Sequence, residues 1–194
     1  QPQHFLVNLQ KLLINFRYKI TDPFLKHSLK SITDSIIFVF NNCAPDYADG
    51  PYRHDNDKNQ DDNQTDMNLR GKFVTDADGC FSFRSVKPAG YPIPIDGPVG
   101  DMIKAQNRRH YRPAHIHFLC FKEGFKTLVT QVFVDEDADI EADVVFGVTR
   151  ALVGDFKKHD GAAPAADVKG PWYSLDYKFV MEPGIAKWPH PPIK

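Results

Sequence analysis

Residues 70–86 read RGKFVTDADGCFSFRSV, two runs rich in β-forming residues on either side of Asp-Ala-Asp-Gly. Asp-Gly supplies the positive φ that a tight turn needs, so the stretch predicts a β-hairpin. A second unit of the same kind follows, in which AHIHFLCF and TLVTQVFV flank KEGFK. WYSLDYKFV at 172–180 alternates and predicts a further strand. Between the hairpins, PAGYPIPIDGPVGDMI is a loop stiffened by four prolines, with a helical turn expected after Pro98, and FGVTRALVGDF suits another short helix. From residue 69 onward the predicted class is therefore mostly β: an antiparallel β-sandwich with long loops.

The chain ahead of that point differs in character. Residues 44–68 are crowded with Asp, Asn and Gln, cannot bury themselves, and read as a surface loop. Residues 1–43 are apolar and mildly basic. HFLVNLQKLLINF places apolar residues at 5, 6, 9, 12, 13 and 16, a helical period, and SIIFVF at 35–40 suits a short buried strand or a piece of helix. The expected organisation is a divergent, partly helical segment of unclear structure over 1–43, followed by one domain over 44–194.

Charge excludes some partners. Lys plus Arg is 24 against 25 Asp plus Glu, a balance that suggests neither nucleic acid nor an anionic membrane. Cys43, Cys80 and Cys120 are scattered and odd in number, which fits a reducing, cytoplasmic setting and not a disulfide framework. No apolar run approaches the ~20 residues of a membrane span, and no secretory signal is read at the N-terminus. The first residue is Gln1 and not Met, so upstream sequence is expected to be missing.

The chemistry concentrates in YRPAHIHFLC, residues 111–120. On a strand, successive side chains point to opposite faces, so His115 and His117 share one face while Ile116, Phe118 and Cys120 share the other. Two imidazoles side by side are either a metal device or a pair of solvated or core-satisfied histidines. Tyr91 in AGYPIP is a packing residue or a phenolate ligand, and Tyr52 in DGPYRHD, taken alone, is a surface tyrosine. Arg112 stands three residues before His115. It should point to the opposite face unless Pro113 breaks the alternation. Gln131 in TLVTQVF is a polar group at the core edge or a partner of that arginine. No carboxylate is spaced to complete a 2-His-1-carboxylate triad. Nucleophile elbow, phosphate loop, dinucleotide fingerprint and C-x-x-C are all missing from the sequence.

Taken together, MNLRGKFVTDADGCFSFRSVKPAGYPIPIDGPVG, YRPAHIHF and LVTQVFV resemble the intradiol ring-cleavage dioxygenases, in particular the hydroxyquinol 1,2-dioxygenase and fungal catechol dioxygenase branch. The resemblance runs from about residue 44 to about residue 180. It implies a β-sandwich carrying one ferric ion, Fe(3+), held by Tyr52, Tyr91, His115 and His117. It further implies Arg112 as the active-site arginine, Gln131 as its companion, and Ile93 and Pro94 as lining for the aromatic-ring pocket. Substrate would be a small aromatic 1,2-diol, hydroxyquinol or catechol, cleaved by O₂ between its hydroxylated carbons to a muconate-type diacid. The lead-in to Tyr52, NNCAPDYADGPY, departs from the family's pattern. So do the residues before it, which do not match the family's early strands or the helical region that builds its homodimer. The expectation is a truncated or mis-spliced N-terminus, or genuine divergence. The alternative is a non-catalytic β-sandwich remnant that binds metal but lacks a complete substrate pocket, and a third reading, ranked below it, is a zinc-binding HxH domain.

Overall fold

The structure is a computed structural model, described over residues 11–17, 36–41, 70–162 and 171–188. It contains two stacked sheets and a small ribbon. The first sheet has the order β10-β11-β1-β4 and the second β3-β2-β7-β8-β9. In chain order these strands are β1 (Lys11–Arg17), β2 (Ile36–Asn41), β3 (Arg70–Val74), β4 (Cys80–Val86), β5 (Tyr91–Pro92), β6 (Tyr111–Arg112), β7 (His115–Phe121), β8 (Leu128–Val134), β9 (Val153–Gly154), β10 (Lys157–His159) and β11 (Trp172–Tyr177). The ribbon pairs β5 with β6, and one helix, α1 (Pro98–Ala105), lies between those two strands in sequence. Pairing is antiparallel except where β1 meets β11 and β8 meets β9.

The second expected hairpin is present. β7 and β8 run antiparallel from His115 opposite Phe133 to Cys120 opposite Leu128. The first is not a hairpin. The turn after β3 does form: Asp76 accepts the N–H groups of Asp78 and Cys80 through Oδ1, and Gly79 takes φ 74°. Yet β3 pairs with β2 in one sheet and β4 pairs with β1 in the other. The turn therefore carries the chain across the sandwich. Phe73 from one sheet lies 5.1 Å, ring to ring, from Phe83 of the other, so the two runs meet through side chains and not through backbone hydrogen bonds.

The helical period read over 5–16 is also overturned where it can be followed. Residues 11–17 form a strand with partners on both sides, β4 and β11, and 36–41 form a strand between β3 and β7. KLLINFR is short enough to satisfy both periods, since Leu12, Ile14 and Phe16 also alternate along a strand. Each sheet thus takes an interior strand from before residue 44.

The core lies between the sheets. Ile116, Phe118 and Cys120 of β7, Val132 and Val134 of β8, and Tyr173 and Leu175 of β11 are all buried there with Phe81, Phe156, Phe179 and Met181. This is the apolar face of the HIHFLCF alternation, and it fixes which way the histidines point. WYSLDYKFV is a strand only as far as Tyr177, and FGVTRALVGDF yields a single 3-10 turn, Arg150–Leu152, leading into β9. None of the described helices is long and apolar enough to cross a membrane.

Candidate active site

His115 and His117 stand on the face of β7 opposite the core, with Phe133 and Gln131 beside them on β8. His115 is fully buried and His117 partly so. The carbonyl of Pro113 lies 2.7 Å from Nδ1 of His115. A carbonyl can only accept, so Nδ1 carries the hydrogen and Nε2 keeps its lone pair, the tautomer a metal ligand needs. That Nε2 is 3.1 Å from Nε2 of His117, with the two rings nearly perpendicular at 85°. Two imidazole nitrogens, each about 2.1 Å from one ion and roughly at right angles, stand about 3.0 Å apart. The pair therefore fits adjacent positions around a single metal. Burial first, then the neighbouring imidazole and guanidinium, push the pKa of His115 down from 6.5 to about 3. The ring is neutral near pH 7, which is the form that ligates.

Tyr91 arrives from the ribbon. It opens β5 opposite Arg112 of β6, is buried, and its ring centroid lies 5.6 Å from that of His115. Ile93 follows just beyond the strand, its N–H donating to the His110 carbonyl at 2.8 Å, and Pro94 is exposed. Tyr52 lies outside the described residues. Among the described residues no group of three or more His, Cys, Asp or Glu side chains is placed to hold a metal ion; the two imidazoles share this face, with the Tyr91 ring beside that of His115.

Arg112 does reach His115. The alternation breaks at Pro113 and Ala114, which separate β6 from β7 and put the two strands in different sheets. Nη1 of Arg112 comes within 3.3 Å of Nε2 of His115, and Nη2 donates to Oε1 of Gln131 at 3.2 Å. The arginine is buried, so its charge needs a partner. The partner is Asp143, whose Oδ1 accepts from Nε at 3.2 Å and whose Oδ2 lies 3.5 Å from Nη2.

Sequence reasoning missed Asp143, and also Asp137, whose Oδ2 accepts the Ala114 N–H at 3.0 Å and so anchors the break between β6 and β7. Both sit in DEDADIEAD, an acidic stretch that reads as solvated surface. The available signal was Asp143 itself, an acid placed directly before Val-Val-Phe-Gly. Asp139 completes the pattern by pairing with Arg109 at 2.9 Å.

Comparison with known proteins identifies the family. The family model described as Dioxygenase matches residues 45–183. A hydroxyquinol 1,2-dioxygenase from a Rhizobium species is 47% identical over 121 residues, which cover 61% of this chain and 41% of that protein. A catechol 1,2-dioxygenase from Candida albicans is 40% identical over 113 residues, 58% of this chain and 37% of that one. The solved hydroxyquinol 1,2-dioxygenase from Pseudomonas putida superposes with a TM-score of 0.70 at 33% identity, covering 92% of this chain and 58% of the other. The chain thus spans between about two fifths and three fifths of the length of these relatives. With the match running from residue 45 to 183 and relatives of this kind on both comparisons, the chain belongs to the intradiol ring-cleavage dioxygenase family.

Proposed function

We propose that this chain holds one ferric ion on Tyr52, Tyr91, His115 and His117 and cleaves an aromatic 1,2-diol, hydroxyquinol or catechol, with O₂ between the two hydroxylated carbons. The observation that carries the reading is the 3.1 Å approach of two Nε2 atoms, one of them with its hydrogen committed elsewhere. A bound ferric ion would supply Lewis-acid activation of the diol toward O₂. The remaining work falls to side chains.

His115, neutral and oriented by Pro113, serves as a fixed ligand that takes no part in proton traffic. Tyr91, as phenolate, is the base that takes a proton from the incoming diol at its Oη. A free phenol ionises only near pH ~10, so the phenolate requires the cation beside it. Arg112, buried and held by Asp143 and Gln131, faces the same space and stabilises negative charge as it develops on the ring, where low dielectric strengthens the interaction. Ile93 and Pro94, one and two residues past β5, line the ring pocket. No organic cofactor is called for. The free thiols of Cys80 and Cys120 suit a reducing compartment.

The test is the visible spectrum of the iron-loaded protein, followed by oxygen uptake with each diol. A tyrosinate-to-iron charge-transfer band and a diacid product are expected. A colourless protein that retains zinc stoichiometrically would falsify the ferric assignment. A coloured protein that cleaves no diol would favour the metal-binding remnant.

A further inference from the structure

Beyond the ligand set and the arginine, the described site contains a second device. Residues 143–147 wrap a carboxylate. Oδ1 of Asp143 takes the Arg112 Nε hydrogen bond at 3.2 Å and the Val145 N–H at 3.4 Å. Oδ2 takes the Gly147 N–H at 2.8 Å and lies 3.5 Å from Nη2 of Arg112. Each oxygen thus has one backbone and one guanidinium partner, and the side chain is almost wholly buried. The turn that delivers those N–H groups puts Phe146 at φ 55°, a left-handed conformation that is costly for a bulky residue. A side chain at 147 would also crowd the same groups: a Cβ there would stand 2.9 Å from Gln131 Nε2, 3.1 Å from Asp143 Oδ2 and 3.2 Å from Arg112 Nη2, so these side-chain ends would have to shift. The chain accepts strain and forgoes a side chain to seat one carboxylate against one guanidinium.

We infer that the Asp143–Gly147 turn is the positioning element for Arg112: it sets the plane of the guanidinium so that its Nη1 edge faces the His115 side of the site. Asp143 is a positioning residue and does not itself meet substrate. The inference rests on the proposed function for its kinetic consequence and on geometry alone for its structural one. Asn at 143 cannot replace Asp. Its amide must turn an NH₂ toward either the Arg112 N–H or the Gly147 N–H, a donor facing a donor.

The experiment compares wild type, Asp143→Asn, Gly147→Ala, Arg112→Ala and the Asp143→Asn/Arg112→Ala pair. Steady-state turnover of hydroxyquinol and catechol is read on the iron-loaded proteins. The Arg112 Nε–H resonance and its exchange with water are read by NMR on the gallium(III)-loaded proteins, gallium serving as a diamagnetic stand-in. Asp143→Asn should lower kcat by about 10- to 100-fold, the size of effect found when partners that orient metal-ligating side chains are removed, with KM changed much less. Gly147→Ala should act in the same direction. The Arg112 Nε–H resonance, slow to exchange in wild type, should move and exchange quickly in both variants. In the Arg112→Ala background the effect of Asp143→Asn on kcat should all but vanish, the non-additivity expected of residues acting as a unit. Unchanged kcat with an unchanged resonance overturns the inference, as does an equal fall in kcat with or without Arg112. If wild type cleaves no diol, the proposed function fails and the resonance alone decides whether Asp143 holds Arg112.

Discussion

Acid should unfold the metal-free protein in part through a single buried ring. The pKa of His115 is lowered from 6.5 to about 3, chiefly because burial penalises the imidazolium and secondarily because His117 and Arg112 stand beside it. The unfolded chain therefore binds a proton that the folded chain refuses, and stability rises with pH across the window between those values. The contribution is fully present above pH 6.5 and is lost as pH falls toward 3. Each tenfold difference in proton affinity between the folded and unfolded chain is worth about 1.4 kcal/mol, so the loss from this ring alone is about 2 kcal/mol at pH 5 and approaches about 5 kcal/mol near pH 3. The assay is urea unfolding of wild type and His115→Gln at a series of pH values between 8 and 4. The variant has its own stability, so the quantity read is the difference in slope against pH. Wild type should lose about 2 kcal/mol more than the variant between pH 8 and 5. Parallel slopes would refute the reasoning, because they would mean that His115 titrates alike in the folded and unfolded chain.

Four further outcomes follow from the proposed ferric site and from the packing. His115→Ala or His117→Ala should release iron, measured by metal content after gel filtration, because a ligand fixed to a strand has no nearby substitute. Arg112→Ala should keep iron and colour while turnover falls by about 10²–10³-fold, as when one charge-stabilising donor is removed; loss of iron and fold together would make the arginine structural. Phe118→Ala, which empties a position 1% exposed and packed against the Phe83 and Phe179 rings, should cost about 3–5 kcal/mol by urea unfolding. Removing residues 1–42 should abolish soluble, iron-binding protein, because it strips an interior strand from each sheet and leaves β4, β11, β3 and β7 with unpaired edges. Retained solubility and iron in that truncation would show that β1 and β2 are dispensable.

The last expectation departs from the sequence reading of residues 1–43 as a divergent, partly helical segment, and the reason separates local from non-local information. Alternation in HIHFLCF sufficed to place both histidines on one face and Ile116, Phe118 and Cys120 in the core, because side-chain direction along a strand is set by the backbone itself. The β7–β8 hairpin was likewise legible, since its turn is local and both runs share a sheet. Strand choice was not. RGKFVT and CFSFRSV flank a sound turn signal, yet each finds its partner in a strand from the first 41 residues, and a turn sequence cannot say whether its two arms will share hydrogen bonds or face each other across a core. KLLINFR met both a helical and an alternating template, and its two waiting neighbours made it a strand. The arginine was visible as a residue but not as a geometry: only the break at Pro113 and Ala114 turns it toward His115, and only the fold brings Asp143 to it from 31 residues away. A buried charge must find its counter-charge wherever packing delivers one, and in this chain it came from an acidic loop whose composition alone reads as solvent-facing.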